Sequence, residues 1–213
     1  MNADDPVPEK AKVLVLRTCN ADRTSHNGFL WPEGGPVSAP DWNPEVVCGY
    51  GLHGFLWGEG DGSLANWTSD AKWLVAEVER ESIVDLAGKV KFPSATVVFC
   101  GDRLGATSYL AEHGGHGRAI VGGTATAGNR GTATAGDEGT ATAGDAGTAT
   151  AGYAGTATAG YRGTIQAKWW DSSANRYRIA TGYIGEDGLL PNVKYRWDNG
   201  KWTQVETKEV AAR

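Results

Sequence analysis

Between Gly123 and Tyr161 the chain alternates polar and small apolar positions with a strictness it shows nowhere else. Gly-Thr-Ala-Thr-Ala-Gly-x-x is written five times, from Gly123, Gly131, Gly139, Gly147 and Gly155, and a degraded copy, Gly-Thr-Ile-Gln-Ala-Lys-Trp-Trp, follows from Gly163. Thr is β-branched and stiff at χ1, and a period of two puts Thr124 and Thr126 on one face and Ala125 and Ala127 on the other. Each octapeptide therefore reads as a short strand and a bend, with the glycines that bracket each x-x pair expected to supply positive φ at the corner.

Identical units stack most simply when every strand runs in the same sense, which sets equivalent residues about 4.7 Å apart. One octad at roughly 3.3 Å per residue gives a circuit of only about 26 Å, too tight for two strands, two corners and any interior side chain. Two octads per circuit are expected instead. Thr124, Thr140 and Thr156 then form one ladder, and Thr132, Thr148 and Thr164 form another on the opposite wall. Thr126, Thr142 and Thr158 accompany the first, and Thr134 and Thr150 the second; the alanines fill a thin interior that needs covers at both ends.

Before the repeat, 12–18, 73–78, 83–86 and 96–99 carry strand patterns, and 27–62 is rich in Gly, Pro and Trp and reads as loops pinned by Trp31, Trp42 and Trp57. Leu104, Tyr109 and Leu110 at helical spacing, with Gly114-Gly115 as a stop, predict one helix over 103–113. After the repeat, 165–170, 176–184, 193–197 and 202–205 alternate, and Asp198-Asn199-Gly200 signals a hairpin. The expected fold class is mainly β: a parallel β-solenoid of about three 16-residue coils with a β-rich aromatic cap, preceded by a small α+β domain. The expected division is a flexible start (1–10), the α+β domain (11–116), the solenoid (117–164), the cap (165–206) and a flexible tail (207–213).

A net charge of −5 and a pI near 5.4 argue against a nucleic-acid surface. No apolar run reaches the ~18 residues of a membrane span, and the acidic, Pro-containing start is unlike a signal peptide, so a soluble cytoplasmic protein without membrane contact is expected. Cys19, Cys48 and Cys100 make an odd count that favours free thiols. A metal site of these three with His53 lacks any CxxC or HxxxH spacing, so no metal and no cofactor is expected.

Ala151-Gly152-Tyr153-Ala154-Gly155-Thr156-Ala157-Thr158, and Ala159-Gly160-Tyr161-Arg162-Gly163-Thr164 after it, resemble the Ala-Gly-Tyr-x-Ser-Thr-x-Thr repeat of bacterial ice-nucleation proteins. The end of the chain is similar to that family's C-terminal segment through Trp170-Asp171, Tyr177, Thr181-Gly182, Gly188 and Tyr195. The resemblance covers about 123–205 and implies parallel solenoids with outward Thr-x-Thr rows that order water, and association through stacked tyrosines. Gly replaces the family's Ser before the first Thr, and the array is far shorter than the family's dozens of coils. The N-terminal part resembles a small bacterial and phage domain of unknown function through Cys48-Gly49-x-Gly51-Leu52-His53 and the strand 73–78.

Three functions stay open from the sequence. The first is a non-enzymatic scaffold or self-association surface, giving a homodimer through a flat Thr face and carrying an N-terminal domain with a protein partner of its own. Tyr153 and Tyr161, one octad apart, fall on opposite edges of a two-octad coil, which weakens a tyrosine ladder between copies. The second is an ice-binding or water-ordering surface. The third is an enzyme: Arg17, His53 and a carboxylate at Glu77 or Glu79 follow, loosely, the order of an ADP-ribosyltransferase-like nicotinamide pocket, with NAD as substrate. Beside it stands a plainer reading, in which Arg17 and the glutamates sit on strand surfaces and His53 in a loop. His113 and His116 read as solvated linker residues.

Overall fold

The computed structural model describes residues 11–205; the flexible ends expected at 1–10 and 207–213 lie outside the described residues. Among the described residues the protein is mainly β, with three sheets and no closed barrel, and the chain divides into two compact units, 1–57 with 66–102 and 58–65 with 103–213.

The first unit is an antiparallel sheet. Its strands are β1 (Lys12–Cys19), β2 (Gly35–Ser38), β3 (Leu52–Leu56), β4 (Lys72–Glu79), β5 (Val84–Asp85), β6 (Val90–Phe92) and β7 (Ser94–Gly101), in the spatial order β2-β7-β4-β1-β3-β6-β5. β1 and β4 pair along their whole length, from Lys12 opposite Glu79 to Cys19 opposite Lys72. Val15, Leu74, Ala76, Val78, Val97 and Phe92 meet in one core with Trp31. Two expectations are corrected here. The loop-heavy stretch contains β2 and β3, whose Gly and Pro content hid short strands, and His53 lies on β3 rather than in a loop. Among the described residues of this unit, which ends at 102, there is no α-helix.

The helix the sequence predicts is α1 (Arg103–Leu110), shorter than expected; it ends in a wide turn over Ala111–Gly115 and belongs to the second unit. There the octads form β8 (Thr124–Ala127), β9 (Thr132–Thr134), β10 (Thr140–Ala143), β11 (Thr148–Ala151) and β12 (Thr156–Ala159), and the degraded copy opens β13 (Thr164–Asp171). Consecutive copies lie in different sheets. β8, β10 and β12 are parallel neighbours in one, and β9, β11 and β13 in the other. Thr140 stands opposite both Thr124 and Thr156, and Thr148 opposite Thr132 and Thr164, a register of sixteen residues.

The alanines between the sheets are buried, with Ala141, Ala149, Ala157 and Ala159 at 0% exposure, and Ile165 is the first large side chain they meet. Antiparallel strands end both stacks. β14 (Arg176–Tyr183) pairs with β13, and β15 (Tyr195–Asp198), itself hairpinned to β16 (Lys201–Gln204), pairs with β12 through Tyr195 opposite Ala157. The Asn199-Gly200 turn has φ of 49° and 79°, the mirror-image turn its sequence predicts. Ile184, Leu189 and Tyr195 close the interior, and Leu190 N–H donates to Tyr195 Oη at 2.9 Å. At the other end the segment before the repeat lies along the first circuit: Gly136 N–H donates to Ile120 O at 3.1 Å and Gly122 N–H to Asp137 O at 2.8 Å.

Candidate functional site

Thr side chains point away from the alanine interior on both sheets, so each sheet presents a wall. On the wall of β8, β10 and β12, Thr124, Thr140 and Thr156 form one column and Thr126, Thr142 and Thr158 the next. Thr140 and Thr156 hydroxyls lie 3.2 Å apart, a direct rung-to-rung hydrogen bond. On the second wall, Thr132, Thr148 and Thr164 align, as do Thr134, Thr150 and Gln166, and Thr150 Oγ1 donates to Gln166 Oε1 at 3.0 Å. Columns two residues apart along a strand are spaced about 6.6 Å and rungs about 4.7 Å, and each column is about 10 Å long. Stiff χ1 torsions and the parallel ladders fix these hydroxyls and methyls without loops. Thr124, Thr126 and Thr132 are exposed; the central Thr140, Thr142, Thr148 and Thr150 are half-buried by their neighbours.

The Thr columns themselves hold no charged side chain; charges sit on the neighbouring strand β15, where Arg196 follows the inward Tyr195, and at the corners. There the sequence reading missed a device. Asn129 Oδ1 accepts from Asp145 N–H at 3.0 Å, Asp145 Oδ1 accepts from Tyr161 N–H at 2.9 Å, and on the other edge Asp137 Oδ1 accepts from Tyr153 N–H at 2.8 Å. Each of these three seventh-position side chains thus holds the corner sixteen residues later. Asp137, 4% exposed, also accepts from Gly62 N–H at 3.2 Å and pairs with Lys168 Nζ at 2.6 Å, so its buried charge is matched. Recurrent Asn and Asp at that position was the available signal. Tyr153 and Tyr161 fall on opposite edges, in line with the sequence geometry, and Tyr153 packs edge-on against Tyr177 at 6.0 Å.

The glycines of the repeat act differently from the expectation. Positive φ falls on the eighth residue of each copy, Arg130, Glu138, Ala146, Ala154 and Arg162, at 52° to 58°. The glycines are needed for close approach: a Cβ on Gly139 would stand 2.8 Å from Gly123 O, and one on Gly152 would strike the Gly136-Asp137 backbone beneath it.

The other predicted site residues lie in the first unit. Arg17 stands opposite Leu74 and faces the core side of the sheet, where its guanidinium lies 5.7 Å from the Trp31 ring and donates to His53 O at 3.4 Å. Glu77 alternates with the core residues Ala76 and Val78, and Glu79 follows it in phase, so both carboxylates are on the opposite face. Glu77 pairs with Lys12 at 3.2 Å. The structure brings Arg17 to the backbone carbonyl of His53 and puts Glu77 and Glu79 on the face of the sheet opposite Arg17, away from the position the transferase layout requires. Among the described residues no three of His, Cys, Asp and Glu gather where a metal ion could be held. Cys19 is buried and Cys48 exposed, and both thiols, like that of Cys100, are free. His113, in the second unit, stacks on Tyr109 at 3.9 Å and its Nδ1 lies 2.8 Å from Tyr109 O.

Comparison with known proteins gives one consistent result. The chain is 42% identical over 104 residues to an ice nucleation protein of Xanthomonas campestris pv. translucens, a match that covers 48% of this chain and 7% of that protein. It is 41% identical over 104 residues to an ice nucleation protein of Pseudomonas fluorescens, covering 48% of this chain and 9% of the relative. An ice nucleation protein of Pantoea ananas is 36% identical over 104 residues, again 48% of this chain and 10% of the relative. The chain resembles ice nucleation proteins over about half its length while spanning a tenth or less of theirs. No protein-family model matches the chain. No solved structure matches it. Among the described residues no helix is long and apolar enough to cross a membrane.

Proposed function

We propose that residues 123–164 form a parallel β-solenoid of 16-residue coils whose outward Thr rows order water and bind ice, with 165–205 as its cap. The observation that carries this reading is the sixteen-residue register, which lines up Thr124, Thr140 and Thr156 beside Thr126, Thr142 and Thr158 on one wall. A rigid grid of alternating hydroxyls and methyls holds water in fixed positions at little entropic cost to the protein, because the side chains are already ordered. The resemblance to ice nucleation proteins supports water ordering over a bare scaffold, for which any good strand former would serve in place of Thr. Columns of about 10 Å are too short to template a large ice embryo, so the expected activity is adsorption to existing ice rather than strong nucleation.

Thr142 tests it. It lies at the centre of the six-Thr wall, opposite Thr126 and Thr158. Thr142→Lys, whose side chain stays in water, should abolish the shaping of ice crystals seen in a nanolitre osmometer while leaving the thermal melt in place. Unchanged ice shaping by the variant, or none by the parent protein, refutes the reading. Light scattering on the same samples separates self-association: a dimer that Thr142→Lys disrupts, with no ice shaping by either, would make the wall an interface between copies.

A further inference from the structure

A second site is written into the first unit, around the segment 47–53. Lys91 on β6 is completely buried, and its Nζ donates to Val47 O at 2.8 Å and Gly49 O at 3.4 Å, 5.7 Å from the Trp42 ring centre. Lys89 Nζ lies 3.1 Å from Cys48 Sγ. Arg17 reaches the same segment through His53 O. Among the described residues none of these three cations has a carboxylate within ion-pair distance. Buried charge is ordinarily matched, so the buried Lys91, with the half-buried Arg17 and Lys89 around the same short segment, leaves an excess of positive charge there.

The same segment walls a cleft of about 480 Å³, within the range of small-molecule sites, that Arg17, Phe29, Trp31, Tyr50 and His53 line and Asp41 borders. Two of the lining residues carry a buried polar atom that has no partner among the described residues, Arg17 Nε and His53 Nε2. Gly49, Tyr50 and Gly51 have φ of 94°, 53° and 143°, three consecutive residues in the left-handed region, and this strained turn leaves the Tyr50 side chain 55% exposed. A Cβ on Gly51 would come within 2.9 Å of the Trp42 ring, so the turn admits no side chain there.

We infer that this cleft binds a small anion carrying a flat ring, its carboxylate or phosphate held by Arg17 and its ring laid among Phe29, Trp31 and Tyr50. The anion sets negative charge against Arg17, and the aromatic side chains among the lining residues offer a ring surfaces to lie on. Burial, with the charges of Lys89 and Arg17, pulls His53 down to about 4, so at neutral pH its imidazole adds no charge to this part of the unit. No transfer step is implied, because both candidate carboxylates lie across the sheet.

The test is calorimetric titration of the full chain with adenosine monophosphate, benzoate and inorganic phosphate, with tryptophan fluorescence followed in parallel. Saturable binding of adenosine monophosphate or of benzoate is expected, and which of the two binds tells phosphate from carboxylate. Arg17→Ala should weaken it at least tenfold. Exposed Tyr50, which the fold does not need, gives a second variant: Tyr50→Ser should weaken binding several-fold with an unaltered melt. Absence of binding by both ring-bearing anions, inorganic phosphate binding as tightly as either, or indifference of the affinity to both variants would overturn the inference.

Discussion

Gly128 and Gly152 occupy the same position of the repeat, and neither has positive φ, yet they should respond oppositely to alanine. A Cβ on Gly128, in the first circuit, meets nothing within 4 Å. A Cβ on Gly152 collides with Asp137 N and Gly136 C and lies 2.6 Å from Asp137 Oδ1, contacts that are mostly backbone and cannot swing aside. To admit it the corner must lift, stretching the Gly152 N–H bond to Gly136 O (3.2 Å) and the Tyr153 N–H bond to Asp137 Oδ1 (2.8 Å). Two hydrogen bonds at about 1 kcal/mol each, one of them to a charged acceptor, put the loss at roughly 2–3 kcal/mol before any packing strain. Gly128→Ala carries no such cost and instead removes unfolded-state freedom, a gain of about 0.4–1 kcal/mol. Thermal melts by circular dichroism should show Gly152→Ala lower by about 4–12 °C and Gly128→Ala level or slightly higher. Coincident melts for the two variants would refute the claim that glycine is there for close approach between rungs.

Three further outcomes follow from the same geometry. Thr142→Lys should remove ice shaping at little cost in stability, since the residue is outward and only half-buried, and ice-crystal morphology reads it. His53 has its folded value lowered to about 4 against about 6.5 unfolded, so its neutral form favours folding fully above the unfolded value, and that contribution is lost as pH falls from about 6.5 to about 4. His53→Gln should therefore lose less stability than the parent between neutral pH and about pH 5, as paired denaturant titrations would show. Among the thiols, Cys48 is exposed and lowered by its hydrogen bond from Lys89, whereas burial raises Cys19 to about 11; iodoacetamide with peptide mapping should label Cys48 first and Cys19 last.

What the sequence determined by itself was local and periodic. Thr-Ala-Thr-Ala dictates a strand with one polar and one methyl face wherever it is placed, and the circumference available to eight residues rules out a one-octad circuit, so the register of Thr124 with Thr140 was legible from arithmetic. The Asn199-Gly200 hairpin and the strands of β1, β4 and β13 were legible for the same reason: their signals are carried by neighbours in the chain. Tertiary structure decided which side chains and backbones meet across the stacked strands. The glycines could not declare that they face a backbone beneath them, nor Asn129, Asp137 and Asp145 that each holds the next rung, because those partners exist only once rungs are stacked. Arg17, His53 and Glu77 follow one another in a plausible order, but the alternation of β4 against the core placed the carboxylate across the sheet and left Arg17 and His53 beside one cleft. Chain order records which residues are present; the side of a sheet each one faces is settled only by what the other side must bury.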